Sequence, residues 1–247
     1  MELFLIGIGT GNPEHLTLQA IRLMNEADLI LIPRKGEGKE DLADLRRDIV
    51  ASVVKSDRVA IAEFDLPVRD PNIADYKVRV DHWHDAIALV WQEAIARHPA
   101  AGKVALLVWG DPSLYDSTLR IAGRLSPAPK MTVVPGITSI QGLTAAHAIP
   151  LNAIGAPFVV TTGRRLRDEG WPLGVDTAVF MLDGECSFQT LRGQGAYHLW
   201  WGAYVGMKEQ TVIEGPLDDI CDQVIQTRAQ LRDQMGWIMD IYLIRRA

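Results

Sequence analysis

Three glycine–proline turns carry most of the chemistry legible in this chain of 247 residues. The first, GIGTGNPEHLTLQA from Gly7 to Ala20, follows directly on an apolar run, LFLI. A glycine turn in that place often cradles a phosphate, because backbone N–H groups and a helix N-terminus converge there. Neither common nucleotide pattern fits. The dinucleotide fingerprint G-x-G-x-x-G needs a glycine where Asn12 stands. Its ribose-binding acid should end the second strand, yet Asp28 precedes that strand and Pro33 closes it. No Gly-Lys-Ser/Thr is present for a P-loop. The other two turns are WGDPSLYDS, from Trp109, and VPGITSIQG, from Val134. In them Gly110 and Gly136 permit close backbone approach to a ligand, and Pro112 and Pro135 stiffen the chain. Such turns suit a site that aligns reactants more than one that needs a strong nucleophile. Taken singly, each also reads as an ordinary tight turn.

Other chemistry-bearing residues read as structural. His82 and His84 are two apart on a helix and point to different sides, so they do not form a metal pair. Cys186 and Cys221 make no CxxC and have no metal-ligand spacing; Cys186 has no evident histidine partner. Two reduced thiols in a cytoplasmic protein are the expectation. Trp83, Trp91, Trp200 and Trp201 read as core before ligand platforms. No metal is expected.

The elements that must position the turns alternate regularly. ELFLIGI, DLILIP, RVAIAEF, KVALLVWGD and MTVVPG are continuous apolar strands. Between them run amphipathic stretches. Asn12 is expected to cap a helix with Pro13 in its first turn and Leu16, Ala20, Leu23, Met24 and Ala27 on its inner face. Residues 39–54 read as a surface helix, and 74–97 as a long helix with Val80, Trp83, Ile87, Val90, Trp91 and Ala94 inward. This is a parallel sheet covered on both faces, with all three turns at the carboxyl ends of strands, where ligands of such sheets bind. After AAHAIPLNAIGAP come FVVTT, TAVFMLD, YHLWWGAYVG and GWIMDIYLIRR, with one clear helix at about 216–233. A mixed sheet with antiparallel neighbours is expected there. The organisation is therefore two α/β domains, residues 1–140 with a largely parallel sheet and 141–247 with a mixed one.

Composition narrows the partners. Apolar residues make up 48% of the chain and charged residues 23%, ordinary for a globular protein with a full core. The formal net charge is -6, which argues against broad binding to nucleic acid or anionic membrane. The N-terminal apolar run has no basic flank and reads as a first strand, not a signal peptide. No apolar stretch is long enough to span a bilayer.

Together and in this order, the three turns resemble the signature loops of the tetrapyrrole methylase family. Gly7, Gly9, Gly11 and Pro13 match the first loop, with Thr10 in place of a proline and Asn12 in place of an aspartate. Gly110-Asp111-Pro112 with Tyr115, and Val134 to Thr138, match the second and third in full. VFMLDG and WWGAYVGMKEQ resemble two later donor-contacting segments, so the likeness spans nearly the whole chain. PRKGEGKEDLADLRRDI, EFDLPVRDP and YKVRVDHWHDAI resemble one branch of the family, in aerobic cobalamin synthesis.

The resemblance implies S-adenosylmethionine (SAM) bound in the cleft between two α/β domains, and S-adenosylhomocysteine as product. It implies methylation of carbon one of precorrin-5, release of the extruded acetyl group as acetate, and a homodimer. Gly9, Thr10, Trp109, Gly110, Asp111, Leu114, Thr138, Ser139, Leu182, Asp183, Ala203 and Gly206 are implied to line the donor pocket. Asp111 and Tyr115 are the catalytic candidates, and His147, Asp183 and Glu185 are, by loop position, further candidates for assisting acetyl release. A polycarboxylate corrinoid should meet basic side chains. Arg34 and Lys35 at a strand end come first, then Arg164, Arg165 and Arg167, then Arg69. Lys39, Arg46 and Arg47 are interleaved with acids and read as a solvated helix face. The open alternatives are methylation at another ring position or of another tetrapyrrole, a diphthine-synthase-like methyltransferase, and a non-catalytic tetrapyrrole carrier.

Overall fold

A computed structural model describes residues 1–34 and 41–246 of the chain. Lys35 and Lys39 lie outside the described residues. The chain divides into two compact units, Met1–Thr138 and Ser139–Ala247.

The first unit is built on five strands: β1 (Glu2–Gly7), β2 (Leu29–Arg34), β3 (Ala60–Asp65), β4 (Lys103–Val108) and β5 (Lys130–Val134). Their order is β3-β2-β4-β1-β5, and every pairing is parallel. The apolar runs are continuous because both faces are covered. Phe4, Ile6, Ile30 and Ile32 pack with α1 (Leu18–Glu26) and α2 (Asp41–Val53) on one side. Leu3, Leu5, Leu29 and Leu31 pack with α3 (Tyr76–Ala96) and α4 (Thr118–Ala122) on the other. Each such side chain contributes roughly 1.5–3 kcal/mol on burial.

Two local expectations are corrected. Asn12 caps only a single 3-10 turn, Pro13–His15, its side chain accepting from the Glu14 N–H. Leu16 is extended, and α1 starts afresh at Leu18 with Thr17 as its cap. Leu16 is buried all the same, because the extended residue turns inward between the two helical pieces. The long helix α3 begins at Tyr76, where Asp75 accepts from the Val78 N–H.

The second unit carries α5 (Ser139–Ala146), β6 (Phe158–Thr162), α6 (Gly163–Glu169), β7 (Thr177–Met181), β8 (Tyr197–Ala203), β9 (Thr211–Pro216), α7 (Leu217–Met235) and β10 (Asp240–Arg246). The sheet order is β6-β7-β10-β8-β9. β6 and β7 are parallel, and the other neighbours are antiparallel. Phe180, Leu199, Trp201, Tyr242 and Ile244 form the inner face, covered by Leu217, Cys221 and Val224 of α7. The edge strand β9 is absent from the apolar runs of the sequence because its residues alternate between half-buried and exposed up to Gly215.

Candidate functional site

β4, β1 and β5 are neighbours, so the three glycine turns meet at one edge of the first sheet. The Ile8 N–H donates to the Val108 carbonyl at 2.8 Å, prolonging the pairing beyond β1. Gly9 and Gly110 then exchange two backbone hydrogen bonds, of 3.3 and 2.8 Å. Two of the glycines are there for contact between loops. A Cβ on Gly136 would lie 2.0 Å from the Gly110 carbonyl oxygen, and one on Gly7 would lie 2.7 Å from the Gly136 nitrogen. Gly110 differs: its φ is +62°, and a Cβ there would meet nothing nearer than Thr138 at 3.7 Å. The close approach expected between Gly136 and a ligand is thus taken up by backbone meeting backbone.

Asp111 fastens this junction. One carboxylate oxygen accepts from the Gly136 N–H at 2.9 Å. The other accepts from the Ser113 N–H at 2.8 Å and the Ser113 hydroxyl at 2.5 Å. Burial works to raise the Asp111 pKa, but these hydrogen bonds outweigh it and hold the group below its ordinary value. Asp111 is therefore an ionised brace between the second and third loops. Inside the first loop, the Thr10 hydroxyl is 2.8 Å from Nδ1 of His15, so Thr10 closes the turn with its own side chain. Gly9 and Thr10 are buried; Trp109, Gly110, Leu114, Thr138 and Ser139 are half-buried. Tyr115 and Ile137 are exposed at the same strand ends, and Tyr115 is held at φ 50°. The Trp109 indole N–H is buried without an acceptor.

In the second unit, Leu182 follows β7 directly. It is 67% exposed and held at φ 55°, a left-handed conformation that costs a bulky side chain of order 1–3 kcal/mol. What holds it is the next residue. Asp183 is buried, and its carboxylate accepts from the Tyr242 hydroxyl (2.7 Å), the Ser187 N–H (2.6 Å) and hydroxyl (2.9 Å), and the Glu185 N–H (3.1 Å). Gly163 must be glycine because a Cβ would sit 2.1 Å from the Asp183 carboxyl carbon. Ala203 is fully buried at the end of β8, and Tyr204, at φ 50°, ties its hydroxyl to the Trp237 carbonyl at 2.6 Å. The Gly206 N–H donates to the Gln210 side chain at 2.7 Å.

The basic residues fall into distinct groups. Arg34 pairs with Asp65 at 3.0 Å and with Glu63 at 3.7 Å. Arg165 pairs with Glu169, and Arg167 with Glu185, both at 2.6 Å. Arg164 is exposed on α6. Arg69 lies over the Trp83 ring at 4.2 Å. Arg47 pairs with Glu63 and Asp44. Arg46 departs from the solvated-face expectation. Its Nε donates to the Leu107 carbonyl at 3.3 Å, and its guanidinium lies 5.0 Å from the Trp109 ring centre. Burial pulls its pKa down to about 10, against the pull of Asp116, so it stays charged at neutral pH. The signal was in the spacing: Arg46 stands three residues before Ile49 and four before Val50, on the buried stripe of α2.

Of the groups considered for acetyl release, Asp111 and Asp183 are fully engaged, and Glu185 is held by Arg167. Nε2 of His147 is 3.0 Å from the Trp201 carbonyl. A carbonyl only accepts, so Nε2 carries the proton and Nδ1 the lone pair in the neutral ring. His82 is exposed and His84 buried, on different sides of α3. Among the described residues, no group of three His, Cys, Asp or Glu side chains is placed to hold a metal ion. Arg228, Asp240, Tyr242 and Ser187 escaped sequence reasoning; only the inward position of Arg228 on α7 hinted at a buried polar partner.

Comparison with known proteins gives a consistent result. The family described as Tetrapyrrole (Corrin/Porphyrin) Methylases matches residues 2–221. The chain is 46% identical to a precorrin-6A synthase [deacetylating] of Sinorhizobium sp, over 99% of this chain and 95% of that protein. It is 34% identical to a precorrin-2 C(20)-methyltransferase of Sinorhizobium sp, over 60% of this chain and 59% of the other. Among solved structures, a protein described as cobalamin synthesis related (CobF) from Corynebacterium diphtheriae superposes with a TM-score of 0.82 at 38% identity, covering 100% of this chain and 99% of that one. A uroporphyrin-III C-methyl transferase from Thermus thermophilus shares the fold, with a TM-score of 0.62 at 19% identity over 99% and 97% of the two chains.

Proposed function

The chain belongs to the tetrapyrrole (corrin/porphyrin) methylase family, and from that membership we propose that it is a SAM-dependent C-methyltransferase of cobalamin synthesis, methylating carbon one of precorrin-5 and releasing the extruded acetyl group as acetate to give precorrin-6A. The observation that carries this reading is the 46% identity with a precorrin-6A synthase [deacetylating] along 99% of the chain. The geometry is in keeping with it. SAM, when bound, brings a methyl group already activated on a sulfonium, so the protein has chiefly to align and to exclude water. Alignment of two reactants supplies roughly 7–11 kcal/mol of barrier lowering.

The residues suited to that task are those that fix backbone. Asp111, Gly110 and Gly136 lock the second and third loops together. Leu182 and Tyr115 offer exposed apolar surface from conformations set by their neighbours. These, with Gly9, Thr10, Trp109, Leu114, Thr138, Ser139, Asp183, Ala203 and Gly206, are the proposed donor-contacting set. Tyr115 is proposed to touch the reacting groups, whereas Asp111 acts by holding the loops. For the corrinoid carboxylates, Arg34, Lys35, Arg69, Arg164 and Arg165 remain the proposed contacts, with the ion pairs of Arg34 and Arg165 exchanged for substrate.

The proposal includes a cytoplasmic homodimer acting on small molecules, without nucleic acid or membrane partners. The net charge of -6 is in keeping with the last of these, since it disfavours polyanionic partners. Incubation with precorrin-5 and SAM, followed by mass spectrometry and an acetate assay, tests the reaction. A singly methylated ring and one equivalent of acetate are expected; methylation without acetate would remove the deacetylating assignment.

A further inference from the structure

The two donor-contacting segments of the second unit, Leu182–Asp183 and Ala203–Gly206, are joined through one buried ion pair that neither segment contains. Arg228 stands on the inner face of α7, where its neighbours in the stripe are Leu217, Cys221 and Val224. Its Nε donates to Asp240 at 2.8 Å, and Nη2 reaches the other carboxylate oxygen at 3.2 Å. The same Nη2 donates to the backbone carbonyl of Asp183 at 3.2 Å. Both side chains of the pair are only 10% exposed.

Asp240 is the other half of the link. It opens β10, the strand between β7 and β8, and stands in register opposite Ala203. Its carboxylate also accepts from the Trp201 indole N–H at 3.1 Å. One residue earlier, the Met239 carbonyl accepts from the Tyr204 N–H at 2.9 Å. The ends of β7 and β8 are thus held at fixed separation by Asp183–Arg228–Asp240–Trp201, with Tyr242 of β10 adding its hydroxyl to Asp183.

A buried ion pair contributes little net stability over an apolar pair of the same volume, because desolvation offsets the attraction. What such a pair does supply is geometry. Two residues here need outside support, Leu182 at φ 55° and Tyr204 at φ 50°, and both lie in these segments. Resting on the functional reading above, we propose that Arg228 and Asp240 are positioning residues for the methyl donor: they touch no substrate, and they set the relative placement of the two backbone segments that do.

The test separates placement from folding. In the Arg228→Met/Asp240→Leu double variant the pair becomes apolar at similar volume and only the Trp201 indole N–H and the Asp183 carbonyl lose their partners, so the protein should stay folded with a modestly lowered melting temperature. The dissociation constant for S-adenosylhomocysteine, measured by calorimetry, should rise roughly tenfold, and KM for SAM with it, while KM for the corrinoid stays unchanged. A merely structural role would leave all three constants alone in a stable variant. Tyr242→Phe removes a single donor to Asp183 without opening a cavity, and should raise the same constant by a smaller factor. Should the double variant not fold, Arg228→Lys, which keeps the charge but loses the fork that spans Asp240 and the Asp183 carbonyl, decides the matter by the same constant. Native affinity in a folded variant of Arg228 or Asp240 overturns the positioning role and leaves the functional reading standing. A native protein that binds no S-adenosylhomocysteine overturns both.

Discussion

Gly110 and Gly136 sit in facing loops, and the reasons that each must be glycine differ enough to be separated by a methyl group. At Gly110 the obstacle is only φ +62°, so Gly110→Ala should cost about 1–2 kcal/mol of stability. At Gly136 the new Cβ would lie 2.0 Å from a backbone oxygen, and a loop must move. Gly136→Ala should cost upward of about 3 kcal/mol, beyond the usual overpacking range, and should weaken donor binding with it. Urea denaturation of both variants checks this; equal costs would show that the loops do not meet as described. Asp111→Ala strands the part-buried Gly136 N–H at about 1 kcal/mol, while the exposed Ser113 N–H turns to water. Because the folded pKa of Asp111 is depressed, its contribution is present above the ordinary value of 3.8 and fades as pH falls below that, through the folded value. The gap between native and variant in urea melts should therefore narrow in acid. A gap independent of pH would contradict the ionised brace. The loop motifs were legible at this scale as residue types, but their division of labour was not, since contact between two backbones leaves no mark in a sequence.

Among the elements, the strands were the easiest to read, because a run buried on both faces carries no polar side chain at its buried positions, as in β1 after Glu2 and β4 after Lys103. Boundaries were harder. Asn12-Pro13 has the chemistry of a helix start, and so does Thr17, four residues on; the structure uses both, the first for one turn and the second for α1. Thr17→Ala should cost about 1 kcal/mol in thermal or urea melts, and Asn12→Ala less, as only a single turn depends on it. The reverse order would mean that the helix begins at Pro13 after all. Arg46 departs from its sequence pattern for a related reason. A guanidinium among acids looks like a solvated face, whereas the 3.6-residue stripe placed it inward, against Trp109. The buried network of Asp183, Arg228, Asp240 and Tyr242 leaves no mark in the sequence, since Asp183 stands 45 residues from Arg228 and 59 from Tyr242.

For the molecule as a whole, the alternation of strands and helices marked a parallel sheet in the first half, and the scarcity of helices marked a mixed sheet in the second. Both cysteines belong to the second unit and both are buried, with no disulfide between them. Burial raises both thiols, Cys186 to about 11, so little thiolate exists at neutral pH. Neither should react with iodoacetamide in the native protein, and both should react in denaturant. Labelling at intermediate urea then reports the opening of the second unit. Rapid labelling of the native chain would show that its core is not sealed around α7. The function proposed for this chain rests on the coupling, at one site, of ring methylation to loss of an acetyl group. Its most direct test is the stoichiometry of the reaction on precorrin-5 with methyl-labelled SAM: one label per ring and one acetate per label are predicted, and a labelled ring that keeps its acetyl group would contradict it.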